Sequence, residues 1–182
     1  MKVLSTSLPG VLLVEPTVFR DSRGFFLETW QRERFRAAGL PADFLQDNHS
    51  RSVRGTLRGL HFQVQAPQGK LVRVARGEVF DVAVDLRRSS PTFGQWVGER
   101  LSDAEPRMLW IPPGFGHGFY VLSGIADLEY KCTTVWQAEH DRVLRWDDPA
   151  LGIDWPLIGS SRPLMSDRDA TAPDLARAEC FP

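Results

Sequence analysis

Between residues 57 and 133 the chain alternates short runs of β-forming residues with clusters of Pro, Gly, Ser and Asp. In the clearest run, 79–86, apolar residues occupy the even positions, whereas Asp81, Ala83 and Asp85 occupy odd positions. A period of two indicates a strand whose two faces meet different surroundings, and we expect the second face to meet water or a polar cavity. Strands repeated at this interval are typical of a β-sandwich or barrel.

The same reasoning predicts the other elements. Strands are predicted at 11–14, 24–30, 57–63, 70–76, 79–86, 95–101, 107–111, 116–122 and 127–133. A helix is predicted at 31–38, where a helical period ends before Gly39 and Pro41. The segment 19–24 has turn chemistry. We expect the Pro- and Asp-rich tail to wrap the barrel, with a short helix near 174–179.

Length and charge limit the class of protein. The 182 residues suit one domain, with an N-terminal strand region (1–50), a barrel (about 51–146) and a C-terminal wrap (147–182). A net charge of -1 without a long basic block argues against nucleic-acid binding. There is no apolar run of membrane-spanning length and no secretory signal, and Cys132 and Cys180 are expected to be free thiols. We therefore expect a cytoplasmic protein without a membrane partner.

His61 lies in a run that indicates a polar site. Within 57–63, strict alternation would point Gly59, His61 and Gln63 to one face. A hydrogen-bonded core histidine is the plainer alternative for a lone His. The nearby Arg58 and Lys70 favour a functional site instead.

His117 ends the sequence Pro112-Pro113-Gly114-Phe115-Gly116-His117. The pattern Pro-x-Gly-x-x-His resembles the second motif of cupins, small β-barrels that often carry a metal. In metal cupins the first motif supplies His-x-His and a following Glu. Here the matching place reads His61-Phe62-Gln63, and no Glu follows before Glu78. The resemblance thus implies an all-β, cupin-like jelly roll and argues against a bound metal.

Ten short motifs follow one another along nearly the whole chain. They are Asp21-x-Arg23-Gly24-Phe25-Phe26-x-Glu28, Gln46-Asp47-Asn48-His49-Ser50, Leu57-Arg58-Gly59-Leu60-His61-Phe62-Gln63, Gln68-Gly69-Lys70-Leu71-Val72-Arg73, Gly77-Glu78-Val79-Phe80-Asp81-Val82-Ala83-Val84-Asp85, Ser90-Pro91-Thr92-Phe93-Gly94, Leu109-Trp110-Ile111-Pro112, Leu128-Glu129-Tyr130-Lys131-Cys132-Thr133, Arg145-Trp146-Asp147-Asp148-Pro149 and Ser166-Asp167-Arg168-Asp169. In sequence and order they resemble the dTDP-4-dehydrorhamnose 3,5-epimerase family. The resemblance implies an isomerase without a cofactor that converts dTDP-4-dehydro-6-deoxy-D-glucose to dTDP-4-dehydro-L-rhamnose, in dTDP-L-rhamnose biosynthesis.

The chemistry of that family explains four of these residues. A ketone at C4 acidifies the C–H bonds at C3 and C5, because the carbanion delocalises as an enolate. By resemblance His61 is the base, and Asp169 orients it. Lys70 stabilises the charge on O4, and Tyr130 returns a proton from the opposite face. A phenol has a pKa of about 10, so it is protonated at neutral pH.

The resemblance also implies a set of substrate-binding residues. They are Arg23, Phe25, Phe26, Glu28, Gln46, Asp47, Asn48, Arg58, His117, Trp136, Asp141 and Arg168. Among them, Arg23 and Arg58 would contact the diphosphate, and aromatic rings would stack on the base. Three positions depart from some relatives: Trp136 and Asp141 replace tyrosine and glutamate, and Arg168 replaces lysine.

Three other functions remain open. A mono-epimerase acting at C3 or C5 alone would keep the same base and acid. A metal-dependent cupin is disfavoured by Gln63. A non-catalytic sugar-nucleotide binding module is disfavoured because binding alone needs no acid and base.

The segment 19–30 predicts a homodimer. Two consecutive phenylalanines, Phe25 and Phe26, must point to opposite faces of a strand, so one ring needs a second surface. The family resembled here forms dimers in which this strand crosses to the neighbour. We therefore expect Arg23 and Glu28 to reach the partner's nucleotide.

Overall fold

A computed structural model describes residues 1–159 and 162–182, and most of its regular structure is β. The strands are β1 (Lys2–Ser5), β2 (Leu12–Glu15), β3 (Val18–Asp21), β4 (Gly24–Leu27), β5 (Gln46–Val53), β6 (Leu57–Gln63), β7 (Lys70–Arg76), β8 (Glu78–Asp85), β9 (Trp96–Ser102), β10 (Met108–Ile111), β11 (Phe115–Val121), β12 (Ile125–Cys132) and β13 (Asp141–Val143). The helices are α1 (Arg32–Ala37) and α2 (Asp167–Ala170), with a 3₁₀ turn at Ala138–His140. None of the helices in these residues is long and apolar enough to cross a membrane.

Two antiparallel sheets form a sandwich. The larger sheet has the order β1-β2-β10-β7-β12-β5, and the smaller one has the order β13-β6-β11-β8-β9. The hairpin β3–β4 forms a separate two-stranded sheet. The predicted all-β, cupin-like jelly roll is confirmed.

Apolar side chains fill the space between the sheets. Val72 and Leu128 of the larger sheet pack in one cluster with Val79 and Val121 of the smaller sheet. Fully burying a side chain of this size contributes about 1.5–3 kcal/mol. This cluster holds the two sheets, and the groups they carry, at a fixed separation.

Each sheet is also covered on its outer face. Val82 and Val84 of the smaller sheet pack against Trp155 of the C-terminal wrap. On the larger sheet, Trp110 packs in a cluster with Phe35 of α1. The strands at the centre are therefore buried on both faces.

The alternation predicted for 79–86 is present, but its second face is not wet. Asp81, Ala83 and Asp85 are all buried. Although burial raises the pKa of Asp85, hydrogen bonds from Arg87, Ser90 and others hold it well below its usual range. A buried polar group needs hydrogen-bond partners, and these bonds allow charged residues to lie in an otherwise apolar strand.

Four strands were not predicted, namely β1, β3, β5 and β13. The segment 19–24 does turn at residues 22–23, but the turn joins the paired strands of a hairpin. β5 escaped prediction because its sequence, Gln46-Asp47-Asn48-His49-Ser50-Arg51-Ser52-Val53, contains a single apolar residue. It is an edge strand that faces a polar cavity, so period-two hydrophobicity is absent.

The helix predicted near 174–179 is wrong. That stretch makes one turn at 175–177, and the helix lies earlier, at α2. The Asp148 carboxylate accepts the Leu175 N–H at 2.6 Å. Phe181 then exchanges backbone hydrogen bonds with Leu86 and Arg88, which requires an extended chain.

A β-bulge in β6 changes which of its side chains share a face. On β11, His117 and Phe119 are two residues apart, and their partners on β6 are His61 and Arg58, three residues apart. The extra residue places Arg58 on the same face as His61. Strict alternation would have separated them.

Gly59 occupies this bulge, and we expect Gly59→Ala to lower the free energy of unfolding by roughly 2–4 kcal/mol. Its φ is +123°, and an added Cβ would lie 2.5 Å from the Cα of Gly118. Gly124→Ala is the control, because its Cβ meets open space; it should change stability by less than about 0.5 kcal/mol. Urea unfolding measures both. Equal effects would contradict the role of the bulge.

Candidate active site

His61 and Asp169 form a hydrogen-bonded pair that joins β6 to α2. Nε2 of His61 lies 2.7 Å from Oδ1 of Asp169. The Gly59 N–H donates to the other carboxylate oxygen at 3.4 Å, and Ser166 caps α2 by accepting the Asp169 N–H at 3.1 Å. Because Nε2 is engaged, Nδ1 is the ring nitrogen left to take a proton.

Burial differs between the two partners. The side chain of Asp169 is 4% exposed, whereas that of His61 is 36% exposed. Burial raises the pKa of Asp169, but hydrogen bonds from His61 and Gly59 outweigh it and leave that pKa below its usual value. The carboxylate is therefore ionised at neutral pH and fixes the orientation of an accessible imidazole.

Tyr130 faces the histidine from the other sheet. A cavity of about 140 Å³ is lined by His61 and His117 of the smaller sheet and by Lys70 and Tyr130 of the larger one. Because the two sheets face each other, His61 and Tyr130 would approach a ring bound between them from opposite sides. This is the geometry that inversion at carbon requires.

The phenol of Tyr130 stays protonated. Burial raises its pKa, and Cys132 and Asp141 raise it further, while Arg58 lowers it. The ring also stacks edge-on against His117, with centroids 6.4 Å apart. Tyr130 thus carries its proton at neutral pH and lines the cavity at a fixed position.

Lys70 places a buried ammonium between these groups. Its Nζ donates to the carbonyl oxygen of His61 at 3.4 Å and lies 6.0 Å from the Tyr130 ring centroid. Burial lowers its pKa, and nearby acidic groups, Cys132 first, partly offset this. An ammonium has three donors, so Lys70 can also bind an anionic oxygen in the cavity.

His117 belongs to a second His–Asp pair. Its Nε2 lies 2.9 Å and 3.1 Å from the two carboxylate oxygens of Asp81, and both side chains are buried. The pair spans the neighbouring strands β11 and β8. It fixes the imidazole that forms one wall of the cavity.

A cavity of about 270 Å³ continues from the first. Its lining includes Gln46, Asn48, Trp136 and Asp141 together with His61, Lys70 and Tyr130. The side chain of Gln46 links two other residues of this lining. Its amide donates to Asn48 at 3.0 Å and accepts the Trp136 backbone N–H at 2.7 Å. The Trp136 residue is 53% exposed and offers a flat stacking surface.

Two guanidinium groups border a third space, of about 390 Å³, on the other side of His61. Arg168 donates to the Asp141 carboxylate at 2.6 Å, and Arg58 donates to the Ser52 hydroxyl at 3.0 Å. Both are held in place and can still bind phosphate oxygens.

Comparison with known proteins agrees with this geometry. The sequence profile of the dTDP-4-dehydrorhamnose 3,5-epimerase family matches residues 5–177. The chain is 57% identical over 183 residues to the dTDP-4-dehydrorhamnose 3,5-epimerase of Pseudomonas aeruginosa, covering 100% of both chains. The chain belongs to the dTDP-4-dehydrorhamnose 3,5-epimerase family.

Solved structures of related epimerases agree with this family membership. The 3,5-epimerase of Legionella pneumophila, in complex with dTDP-4-keto-L-rhamnose, aligns with a TM-score of 0.94 and 49% identity, over 98% of this chain and 94% of that one. A 3'-monoepimerase of Streptomyces bikiniensis, in complex with dTDP-quinovose, aligns at 0.88 with 36% identity, over 95% and 87%.

In this member of the epimerase family, most of the predicted site residues meet around His61. The three adjoining cavities are lined by Gln46, Asn48, Arg58, His61, Lys70, His117, Tyr130, Trp136, Asp141, Arg168 and Asp169. They come from both sheets and from the C-terminal wrap. The family resemblance read from the sequence is confirmed.

Five predicted residues lie elsewhere. Arg23, Phe25, Phe26 and Glu28 belong to the β3–β4 hairpin or follow it, and Asp47 turns outward to Lys131, 2.6 Å away. Within 1–159 and 162–182, none of the five lines the cavities around His61. Arg23 pairs with Asp21 at the hairpin turn, and its side chain is 88% exposed.

Gln63 was predicted to share the polar face of His61 but holds loops together instead. Its amide donates to the carbonyl oxygens of Ala66 and Val135 and accepts the Gln137 N–H at 2.8 Å. Among the residues that the structure describes, no group of three His, Cys, Asp or Glu side chains is arranged to hold a metal ion.

The residues of the site that were not predicted include Asp81, Ser166 and Ser50. Asp81 could have been recognised as a carboxylate within a largely apolar strand. Ser166 carries the Ser-x-x-Asp signal of a helix start. Ser50 lines the smallest of the three cavities around His61, and its only signal is its place two residues after Asn48 on a strand.

We expect Asp169→Asn to destabilise the protein by about 1.5–3 kcal/mol at neutral pH, because charged hydrogen bonds are lost. The folded-state pKa of Asp169 is lowered, so its contribution is present above about pH 4 and is lost as pH falls below that value. The difference in unfolding free energy between wild type and variant should therefore shrink below about pH 4.

Urea unfolding at several pH values tests this. Asp167→Asn, an exposed change in the same helix, is the control and should cost less than about 1 kcal/mol. A difference that stays constant down to pH 3 would show that the carboxylate of Asp169 gains nothing from its partners.

Proposed function

We propose that this chain is a dTDP-4-dehydrorhamnose 3,5-epimerase, which converts dTDP-4-dehydro-6-deoxy-D-glucose to dTDP-4-dehydro-L-rhamnose. The observation that carries the proposal is the placement of the His61–Asp169 pair and the Tyr130 phenol on opposite sheets of one cavity. Membership of the family and 57% identity to a relative of that name support the substrate and the reaction.

The first half of the reaction breaks a C–H bond. Nδ1 of His61 takes the proton from the carbon beside the ketone. The electron pair of that C–H bond forms a C=C bond to C4, and the π pair of the C4 carbonyl moves onto O4 to give an enolate. Asp169 stabilises the resulting imidazolium, and the Lys70 ammonium donates a hydrogen bond to O4.

The second half returns a proton to the other face. The O–H bond of Tyr130 breaks, its proton goes to carbon, and the ketone reforms. His61 then loses its proton to water and the phenolate regains one. The same two steps, proton removal and proton return, at the second carbon complete the double epimerisation.

The rest of the site would hold the nucleotide. We assign Arg58 and Arg168 to the diphosphate, and Trp136 to stacking on the base. Gln46 and Asn48 would hydrogen-bond the base. We assign the enzyme to the cytoplasm, in keeping with its free thiols Cys132 and Cys180.

A mono-epimerase is the second candidate, because a 3'-monoepimerase shares the fold at a TM-score of 0.88. The two are separated by the ring positions that exchange with solvent. A double epimerase in D2O incorporates deuterium at both C3 and C5, whereas a mono-epimerase labels one of them.

The roles of base and donor predict different losses in two variants. His61→Asn should lower turnover by about 10²–10⁴-fold while dTDP still binds. Tyr130→Phe should continue to exchange C–H protons with D2O but should stop net inversion. Proton NMR of the sugar ring measures exchange and inversion together.

Tyr120→Phe is the matched control, since its hydroxyl accepts the Ile158 N–H and lies away from the cavity. It should keep wild-type exchange and inversion. If Tyr130→Phe lost both to the same extent, a separate donor role would be excluded.

We further propose a homodimer in which the β3–β4 hairpin crosses to the partner. The hairpin pairs with no other strand in the described chain, and Phe26 is 69% exposed beside Phe19, with ring centroids 6.4 Å apart. Such rings need a covering surface. In a two-fold dimer, Arg23 and Glu28 of one protomer would then complete the nucleotide site of the other.

Mixing two inactive variants tests the crossing. A heterodimer of Arg23→Ala and His61→Ala has one site with both defects and one with neither, so up to about half of its sites should regain activity. Arg54→Ala, an exposed change outside the site, should be active alone. A monomer at assay concentration, or no recovery after proven subunit exchange, would exclude the crossing.

A further inference from the structure

Trp136, the ring that we assign to stacking on the base, lies in an irregular segment. Residues 133–137 connect β12 to the 3₁₀ turn and form neither helix nor strand. The residue is 53% exposed, so its position depends more on the backbone that carries it than on packing of its ring. An irregular segment has no ladder of backbone hydrogen bonds, so its polar backbone groups need other partners. These partners decide where the ring lies.

Three consecutive residues of this segment are bound by two glutamine side chains. The Gln63 amide donates from Nε2 to the Val135 carbonyl oxygen at 3.3 Å and accepts the Gln137 N–H with Oε1 at 2.8 Å. Between them, the Trp136 N–H donates to Oε1 of Gln46 at 2.7 Å. The backbone on both sides of Trp136 is therefore held by one side chain, that of Gln63.

Gln63 is itself fixed in β6. The residue is 2% exposed, and it pairs with Asp141 on β13. Its Nε2 also donates to the Ala66 carbonyl oxygen at 2.8 Å, so each of its two N–H donors has a partner in the protein. Gln63 therefore acts on the loop rather than on a ligand, and it links the loop to a rigid strand.

The loop 64–69, between β6 and β7, supports the same segment. Gln68 donates to the Thr134 carbonyl oxygen at 2.9 Å, and the Thr134 hydroxyl donates to the Ala66 carbonyl oxygen at 2.9 Å. That Ala66 oxygen is the one that also accepts from Gln63. The two loops thus form one hydrogen-bonded unit, which Gln63 joins to β6.

This unit borders the cavity of about 270 Å³. Trp136 and Gln68 line that cavity together with His61 and Tyr130. Stacking of an aromatic side chain on a nucleobase strengthens binding about five- to a hundred-fold, and it requires the two flat rings to lie in contact. A displaced loop would therefore weaken binding of the base while His61 and Tyr130 stay in place on their strands.

We propose that Gln63 is a positioning residue that holds Trp136 where its ring stacks on the base of the nucleotide. This inference rests on the proposed function, because it takes the base to bind at Trp136. It gives a role in substrate binding to a buried residue that acts only through the backbone of a loop.

Gln63→Met tests this role through binding. The variant keeps the length of the side chain and removes its three hydrogen bonds. Calorimetry should show dTDP binding weakened about ten-fold, as in Trp136→Ala, because both changes remove the ordered stack. Inorganic pyrophosphate has no base, so its affinity should change less than about two-fold. Gln65→Met, the same change at an exposed position of the adjoining loop, is the matched control and should bind dTDP as wild type does.

A double variant shows whether Gln63 acts through Trp136. Once the ring is absent its position no longer matters, so Gln63→Met combined with Trp136→Ala should bind dTDP within about two-fold of Trp136→Ala alone. In turnover of the 4-keto substrate, Gln63→Met should raise KM about ten-fold and change kcat less than about three-fold. A loss of folded protein would instead lower kcat and leave KM unchanged.

Gln63→Glu is the second variant, and it decides the question if Gln63→Met does not fold. Its carboxylate keeps the shape of the side chain and the acceptor for the Gln137 N–H. It has no N–H for the carbonyl oxygens of Val135 and Ala66. It should therefore also weaken dTDP binding, again without adding to the effect of Trp136→Ala.

Each other result would overturn the proposal. Unchanged dTDP affinity in the Gln63 variants would exclude the role, and so would normal affinity in Trp136→Ala. Losses that multiply in the double variant would show that Gln63 acts elsewhere, and weaker pyrophosphate binding would indicate a distorted pocket. A wild-type protein that binds dTDP but does not epimerise the 4-keto sugar would overturn the proposed reaction, while the binding measurements would still decide the role of Gln63.

Discussion

The hydrogen bond between His61 and Asp169 joins two parts of the chain that are 108 residues apart. The carboxylate belongs to the C-terminal wrap, and it reaches β6 because Leu164 exchanges backbone hydrogen bonds with Gly55 and Leu57. The wrap therefore covers the outer face of the smaller sheet and also supplies the carboxylate that orients His61. Loss of its docking would remove apolar cover and the carboxylate together.

The sandwich explains how one small fold can place the proposed base and the proposed acid on opposite sides of one cavity. Each sheet contributes one of them, and the apolar cluster between the sheets fixes their separation. The bulge at Gly59 adds a second contribution, because it turns Arg58 to the face of His61. Arg58, His61 and Tyr130 thus all lie on strands of the sandwich.

Sequence predicts the parts of this site that follow from local pattern. Apolar alternation found the central strands, and the motif around His117 indicated a cupin-like fold. Local sequence pattern could not predict β5, whose polar residues face a cavity. It also could not predict the bulge that aligns Arg58 with His61. Asp169 was recognised only through the family resemblance, because its partner lies far away in sequence. Local spacing carries no signal for a contact of that kind.

The two His–Asp pairs show why the residue types alone do not define a role. His61 and His117 each bind a buried carboxylate through Nε2, and both line one cavity. The His117 side chain is only 7% exposed and lies against both carboxylate oxygens of Asp81. Both members of this pair belong to the smaller sheet. His61 is more open and is held by a carboxylate from outside its sheet. Accessibility, rather than pairing, distinguishes His61, the proposed base, from His117, which forms a wall of the cavity.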